Sequence, residues 1–252
     1  MTKRTLTVVL AVALALIGTG CNSSSSATPD VPVVSTQATN GGGTLKLSWE
    51  AASNAKSYEI TAGDAVDTTE ATSFDVTTPA AVVEVRAVNG SKKSDPATVD
   101  CKYVESTVEF FGDVDTSHSN GFGFGEDGIA VGCKYDNSGL NKMDFYGQSS
   151  GAEMKLVSGR FLNPINRPGN ALRAASVEYD EMKIADPLGD YSDSLLVIAS
   201  GSTYCLRVSK DTSAAWSATD HFAKAKVVSI DSGKVTLNLG YQMVAGLRWL
   251  AK

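Results

Sequence analysis

The chain has 252 residues, of which 42% are hydrophobic, 20% charged and 8% aromatic. That is enough apolar material for one large or two ordinary globular domains and too much for a disordered chain. Twenty-two Lys and Arg against 28 Asp and Glu leave a formal charge of −6, which excludes nucleic acid as the main partner because such surfaces need a basic face. With two His and four Cys in the whole chain, no catalytic set and no metal-ligand set is assigned, and a non-enzymatic protein is expected.

Residues 1–20 begin with Lys3 and Arg4, continue through an apolar run from Leu6 to Ile17, and end in Gly18, Thr19 and Gly20. A basic start, a short apolar run and small residues make a secretory signal peptide, and the run falls short of the roughly 20 residues that span a bilayer. The segment Ile17-Gly18-Thr19-Gly20-Cys21 resembles the lipobox of bacterial lipoproteins. The resemblance implies cleavage before Cys21 and lipid, palmitate included, on Cys21, and Asn22 after it implies the outer membrane if the organism has one. Residues 21–30, with Ser23 to Ser26, then read as a flexible tether holding a body off the cell envelope. Loss of Lys3 and Arg4 takes the charge from −6 to −8, so anionic head groups repel the body and the lipid anchor supplies membrane attachment.

From Val31 the apolar residues alternate: Leu45, Leu47 and Trp49; Tyr58 and Ile60; Phe74 and Val76; Val83, Val85 and Ala87. Period two marks half-buried strands, and the Gly41–Gly43 run, Gly63-Asp64 and Asn89-Gly90 supply turns between them. Pro32, the Leu45-x-Leu47-x-Trp49 run, Tyr58-x-Ile60, Val83-x-Val85-x-Ala87-Val88-Asn89-Gly90 and Pro96-Ala97 resemble a fibronectin type III domain over residues 31–103. The resemblance implies an immunoglobulin-like sandwich that acts as a spacer or a protein-binding unit.

Residues 104–252 keep the β texture in GIAVGCKY, KMDFYG, EMKLVSG, SLLVIAS, TYCLRVS, AKAKVVSI and KVTLNLGYQ. Crossover helices are missing, so a larger antiparallel domain, sandwich or barrel, is expected, with a long loop or a short helix near Ala171–Tyr179. The fold class is thus all-β in two domains. Gly201 to Arg207, Asp220 to Ile230 and Val235 to Gln242 are similar to the closing strands of β-rich bacterial lipoproteins of the HmuY-like group, which implies haem as an alternative cofactor. His118 and His221 are the only imidazoles available to it.

Candidate binding residues are therefore Trp216, set in the polar stretch SKDTSAAWSATD, with His221 and His118. Cys133 and Cys205 fall in strand-like segments of an exported chain and form the expected disulfide, the alternative being that these thiols are small buried hydrophobes. Gly147-x-Ser149-x-Gly151 fits a hydrolase elbow by its letters, but EMKLVSG follows it as a strand where an elbow needs a helix. The expected function is that of a lipid-anchored envelope binding or scaffold protein, whose partner is a protein, a glycan or a small molecule. A haem carrier and a secreted hydrolase are the alternatives.

Overall fold

The computed structural model describes residues 27–136, 138–161, 169–187, 189, 191–192, 195–209 and 216–252; residues 1–20, expected as a signal peptide, and Cys21 lie outside them. The fold is all-β: every strand pairing is antiparallel, and the described residues contain three short 3-10 turns and no α-helix.

In the first sandwich, β1 (Val34–Thr39), β2 (Thr44–Trp49) and β5 (Ser73–Val76) form one sheet in the order β1-β2-β5. The facing sheet runs β4 (Ala65–Thr69), β3 (Ser57–Ala62), β6 (Val82–Asn89) and β7 (Lys92–Lys93), with β8 (Ala97–Asp100) also paired to β6. Leu45, Leu47 and Trp49 of β2 meet Tyr58, Ile60, Val83, Val85 and Ala87 in one core. The alternation read from the sequence is the alternation of burial: β6 alternates half-buried and buried along all eight residues. Trp49 and Tyr58 pack edge to face at 5.0 Å, and the Tyr58 hydroxyl accepts a bond from the Ala52 N–H at 2.9 Å, so its polar end is satisfied inside the core.

The second sandwich starts at β9 (Tyr103–Phe111). One five-stranded sheet has the order β14 (Ala171–Ala174), β16 (Thr203–Val208), β17 (His221–Asp231), β18 (Lys234–Gln242), β9. The other has the order β11 (Ala130–Cys133), β10 (Gly121–Phe124), β12 (Phe145–Ser150), β13 (Glu153–Ser158), β15 (Leu195–Ile198). Phe122, Phe145 and Leu156 of the second sheet interdigitate with Phe110, Leu206, Leu237 and Leu239 of the first. Two strands are buried along their whole length. In β10 and β16 every residue is buried, because segments of chain cover their outer faces as well. Gly123 shows how closely: a Cβ there would collide with the carbonyl oxygen of Lys142 in the segment that crosses it.

The sandwiches are stitched together by the last residues of the chain. Leu247 and Trp249 belong to the core of the first sandwich, both fully buried among Leu45, Ile60 and Val85. Trp249 donates its indole N–H to the Gly43 carbonyl at 3.2 Å, and Arg248 donates through Nε to the Gly41 carbonyl at 2.8 Å. Arg248 also reaches the Ala185 carbonyl at 2.5 Å. Gln242 spans the junction, donating to the carbonyls of Cys101 at 3.0 Å and Trp249 at 2.6 Å. Gly42 is required at the contact: its φ is +84°, and a Cβ would collide with the Gly246 carbonyl oxygen.

Two expectations are corrected. Cys133 and Cys205 are not joined to one another; both are buried, in separate clusters. Cys205 points to the outer side of its sheet, with Met182, Phe222 and Leu250, while Cys133 packs with Met143, Tyr146 and Val157 on the outer side of the other sheet. The whole core lies between them, far beyond the roughly 4 Å between Cβ atoms that a bridge needs. Ala171–Ala174 is strand β14, not the start of a helix, since pairing with β16 buries Leu172 in the core.

Candidate functional site

The sequence AKAKVV on β17 places Ala223 and Ala225 in the core and turns Lys224 to the opposite face of the sheet. There its side chain is 2% exposed. Its Nζ donates to the carbonyls of Tyr179 at 2.9 Å, Met182 at 3.2 Å and Leu250 at 3.4 Å, and it lies 4.4 Å and 4.5 Å from the ring centroids of Tyr103 and Tyr179. Carbonyl dipoles and ring faces thus solvate the cation. No carboxylate of a described residue lies within ion-pair distance of it; Asp180 and Glu105 act from further away. Burial outweighs them and pulls the ammonium below the ordinary lysine pKa.

Around Lys224 opens a hollow of about 780 Å³ between the two sandwiches. One wall is the β3–β4 turn with Asp64, together with Thr78 to Val82; the other is Asp180, Lys183 and the chain end at Leu250 to Lys252. Three lysines, Lys183, Lys224 and Lys252, line it together with Asp64 and Asp180. At its rim Lys252 pairs with Glu105 at 2.9 Å, and Tyr103 donates its hydroxyl to the same carboxylate at 3.1 Å. These bonds hold Glu105 below the usual carboxylate range, the hydrogen bond from Lys252 being the largest cause. Burial foremost, then Glu105, raises the Tyr103 phenol.

Two other concavities lie on the second sandwich alone. A groove of about 570 Å³ runs over the outer face of β9, β17 and β18, past Thr107, Lys226 and Asn238. A hollow of about 760 Å³ separates the β10–β11 hairpin from the segment that covers it, with Lys134, Lys142 and Glu126 at its walls. Neither draws on both sandwiches.

The sequence candidates lie apart from the junction hollow and from one another. His118 is bound through Nε2 to Asp113 at 2.7 Å and through Nδ1 to the Ser117 hydroxyl at 3.1 Å, with its ring 4.0 Å from that of Phe111. His221 meets the Gln242 carbonyl through Nδ1 at 2.9 Å and stacks on Tyr241 at 5.2 Å. Phe111 pairs with Lys234 and Tyr103 with Gln242, so the two imidazoles sit at opposite ends of β18, roughly 25 Å apart at about 3.3 Å per residue. One haem cannot take both. Trp216 is 38% exposed, in the segment leading into β17. Ser149 lies on β12, with its backbone N–H bonded to Gly112, and Gly151 turns the chain into β13 at φ +64°. The elbow letters are therefore a hairpin. The described residues hold no cluster of three or more metal-ligating side chains. What the sequence reading missed is Lys224 with Tyr103 and Tyr179; a lysine inside the apolar run HFAKAKVV was the available signal, but nothing local shows what packs on that face.

No protein-family model matches the chain, and no curated protein matches it. Among solved structures it is similar to one titled "Structure of FN3tt mut", at 28% identity and TM-score 0.25 over 29% of this chain and 92% of that one. It is also similar to a two-domain fibronectin type III segment from chicken tenascin, at 14% identity and TM-score 0.23 over 85% of this chain and 98% of that one. Both neighbours are fibronectin type III structures; the sandwich itself rests on the β1-β2-β5 sheet facing the β4-β3-β6-β7 sheet.

Proposed function

We propose that the protein is a non-enzymatic binding protein of the bacterial cell envelope, anchored by lipid on Cys21, in which a fibronectin-type sandwich and a larger β-sandwich together present a ligand site at their junction. The observation that supports this most is the hollow around Lys224. Small-molecule sites favour domain interfaces, and a buried cation without a direct counter-ion is costly to keep.

The anchor and the site are tested separately. Labelled palmitate is incorporated by cells expressing the protein, and Cys21→Ala abolishes that labelling; labelling that survives the substitution refutes the anchor. For the site, Thr78→Trp, an exposed position at the wall of the hollow, blocks ligand uptake without lowering the melting temperature. The haem alternative requires an imidazole to leave its present partners. A Soret band on haem addition that disappears in His221→Ala or His118→Ala establishes a haem carrier in place of a junction-binding protein.

A further inference from the structure

We propose that the ligand of the junction hollow is an acidic saccharide, a uronate sugar of one or two rings. This rests on the reading of the hollow as the ligand site and adds the chemical class. The body carries a charge of −8 once residues 1–20 are removed, yet three lysines line this one concavity against two aspartates. Of these, Lys183 makes no ion pair with a described residue, and Lys252 makes one with Glu105 in which both side chains are largely exposed, at 69% and 47%. An exposed pair of that kind contributes little, so a ligand carboxylate replaces Glu105 at small cost.

The third lysine, Lys224, has no direct counter-ion among the described residues, and a carboxylate entering the hollow adds negative charge close to an ammonium held by carbonyls and ring faces, with Asp180 and Glu105 further away. Volume separates a sugar from an inorganic anion, because about 780 Å³ is the size of a site for an organic ligand. The remaining lining matches hydroxyls: Asp64 and Asp180 are carboxylate acceptors, Thr78 is a donor and acceptor, and Ala80 and Val82 offer an apolar patch to the carbon face of a ring.

The test is calorimetric titration of the purified protein with glucuronate and a digalacturonate, with glucose and maltose as neutral controls. The expected result is saturable binding of the acidic sugars alone, weakened by added salt, and weakened about tenfold or more in Lys183→Met/Lys252→Met, the loss expected for charge-assisted bonds. Both lysines lie outside the core, so the variant folds, which a melting curve verifies. Glucose binding as well as glucuronate, or acidic binding that Thr78→Trp blocks but the lysine substitutions leave unchanged, overturns the acidic class and retains the hollow as the site. Binding indifferent to Thr78→Trp, or no saturable binding of any of the four sugars, overturns both.

Discussion

Trp249 and Trp216 are the same residue type with opposite structural fates. Trp249 is fully buried in the core of the first sandwich with its indole N–H bonded, so Trp249→Ala is expected to cost about 3–5 kcal/mol in chemical denaturation. Trp216 is partly exposed, and Trp216→Ala is expected to change stability by less than about 0.5 kcal/mol. Alkaline behaviour follows from buried titratable groups. Cys101 is pushed by burial from 9.0 to about 12, so between those values the unfolded thiol ionises while the folded one keeps its proton, and stability falls as pH rises from 9. Tyr103, Tyr179 and Tyr241, raised chiefly by burial, add to the loss above pH 10. Lys224 acts in the opposite direction: its folded pKa lies below 10.5, so in that window the unfolded state binds more protons and stability rises with pH. Melting temperatures followed against pH should show Cys101→Ala flattening the decline that begins at pH 9, and Lys224→Met steepening it.

Among the elements, the C-terminal segment joins what no strand joins. It lies on the β1–β2 turn with Trp249 inserted behind it, and it lines the junction hollow with its final residues. Gly42→Ala forces a side chain into a left-handed conformation and against the Gly246 carbonyl. It is expected to destabilise by about 1–3 kcal/mol from backbone strain alone, whereas Gly63→Ala, also left-handed but with nothing within 4 Å of its Cβ, loses less; urea midpoints of the two variants decide. Many of the strands were readable, though β1, β4, β10 and β14 were not. Leu45, Leu47, Trp49 and the Val83–Ala87 run alternate in sequence and in burial alike, because a half-buried sheet filters side chains with period two. TYCLRV was readable as a strand but not as a doubly covered one, and GFGF was not read as a strand at all, since the chain that covers their outer faces comes from elsewhere in the sequence.

Across the whole molecule, the shared core makes the two sandwiches one cooperative unit. A full chain is expected to melt in a single calorimetric transition, and a chain ending after Gln242 is expected to lose the first sandwich, because Leu247 and Trp249 leave a void among Leu45, Ile60 and Val85. Two separated transitions in the full chain, or an unchanged melt in the truncated one, refute the coupling. Thiol titration checks a second global feature: Cys101, Cys133 and Cys205 should react only on unfolding, with no reductant needed to expose them. Composition, charge, the alternating strands and the all-β class were determined by the amino-acid sequence alone, because each is set by neighbours within a few positions. The place of Trp249, the failure of Cys133 to meet Cys205, and the enclosure of Lys224 by Tyr103 and Tyr179 were decided only by tertiary structure. Each depends on residues tens to hundreds of positions apart, and which face of a strand another segment covers leaves no periodic trace in the strand itself.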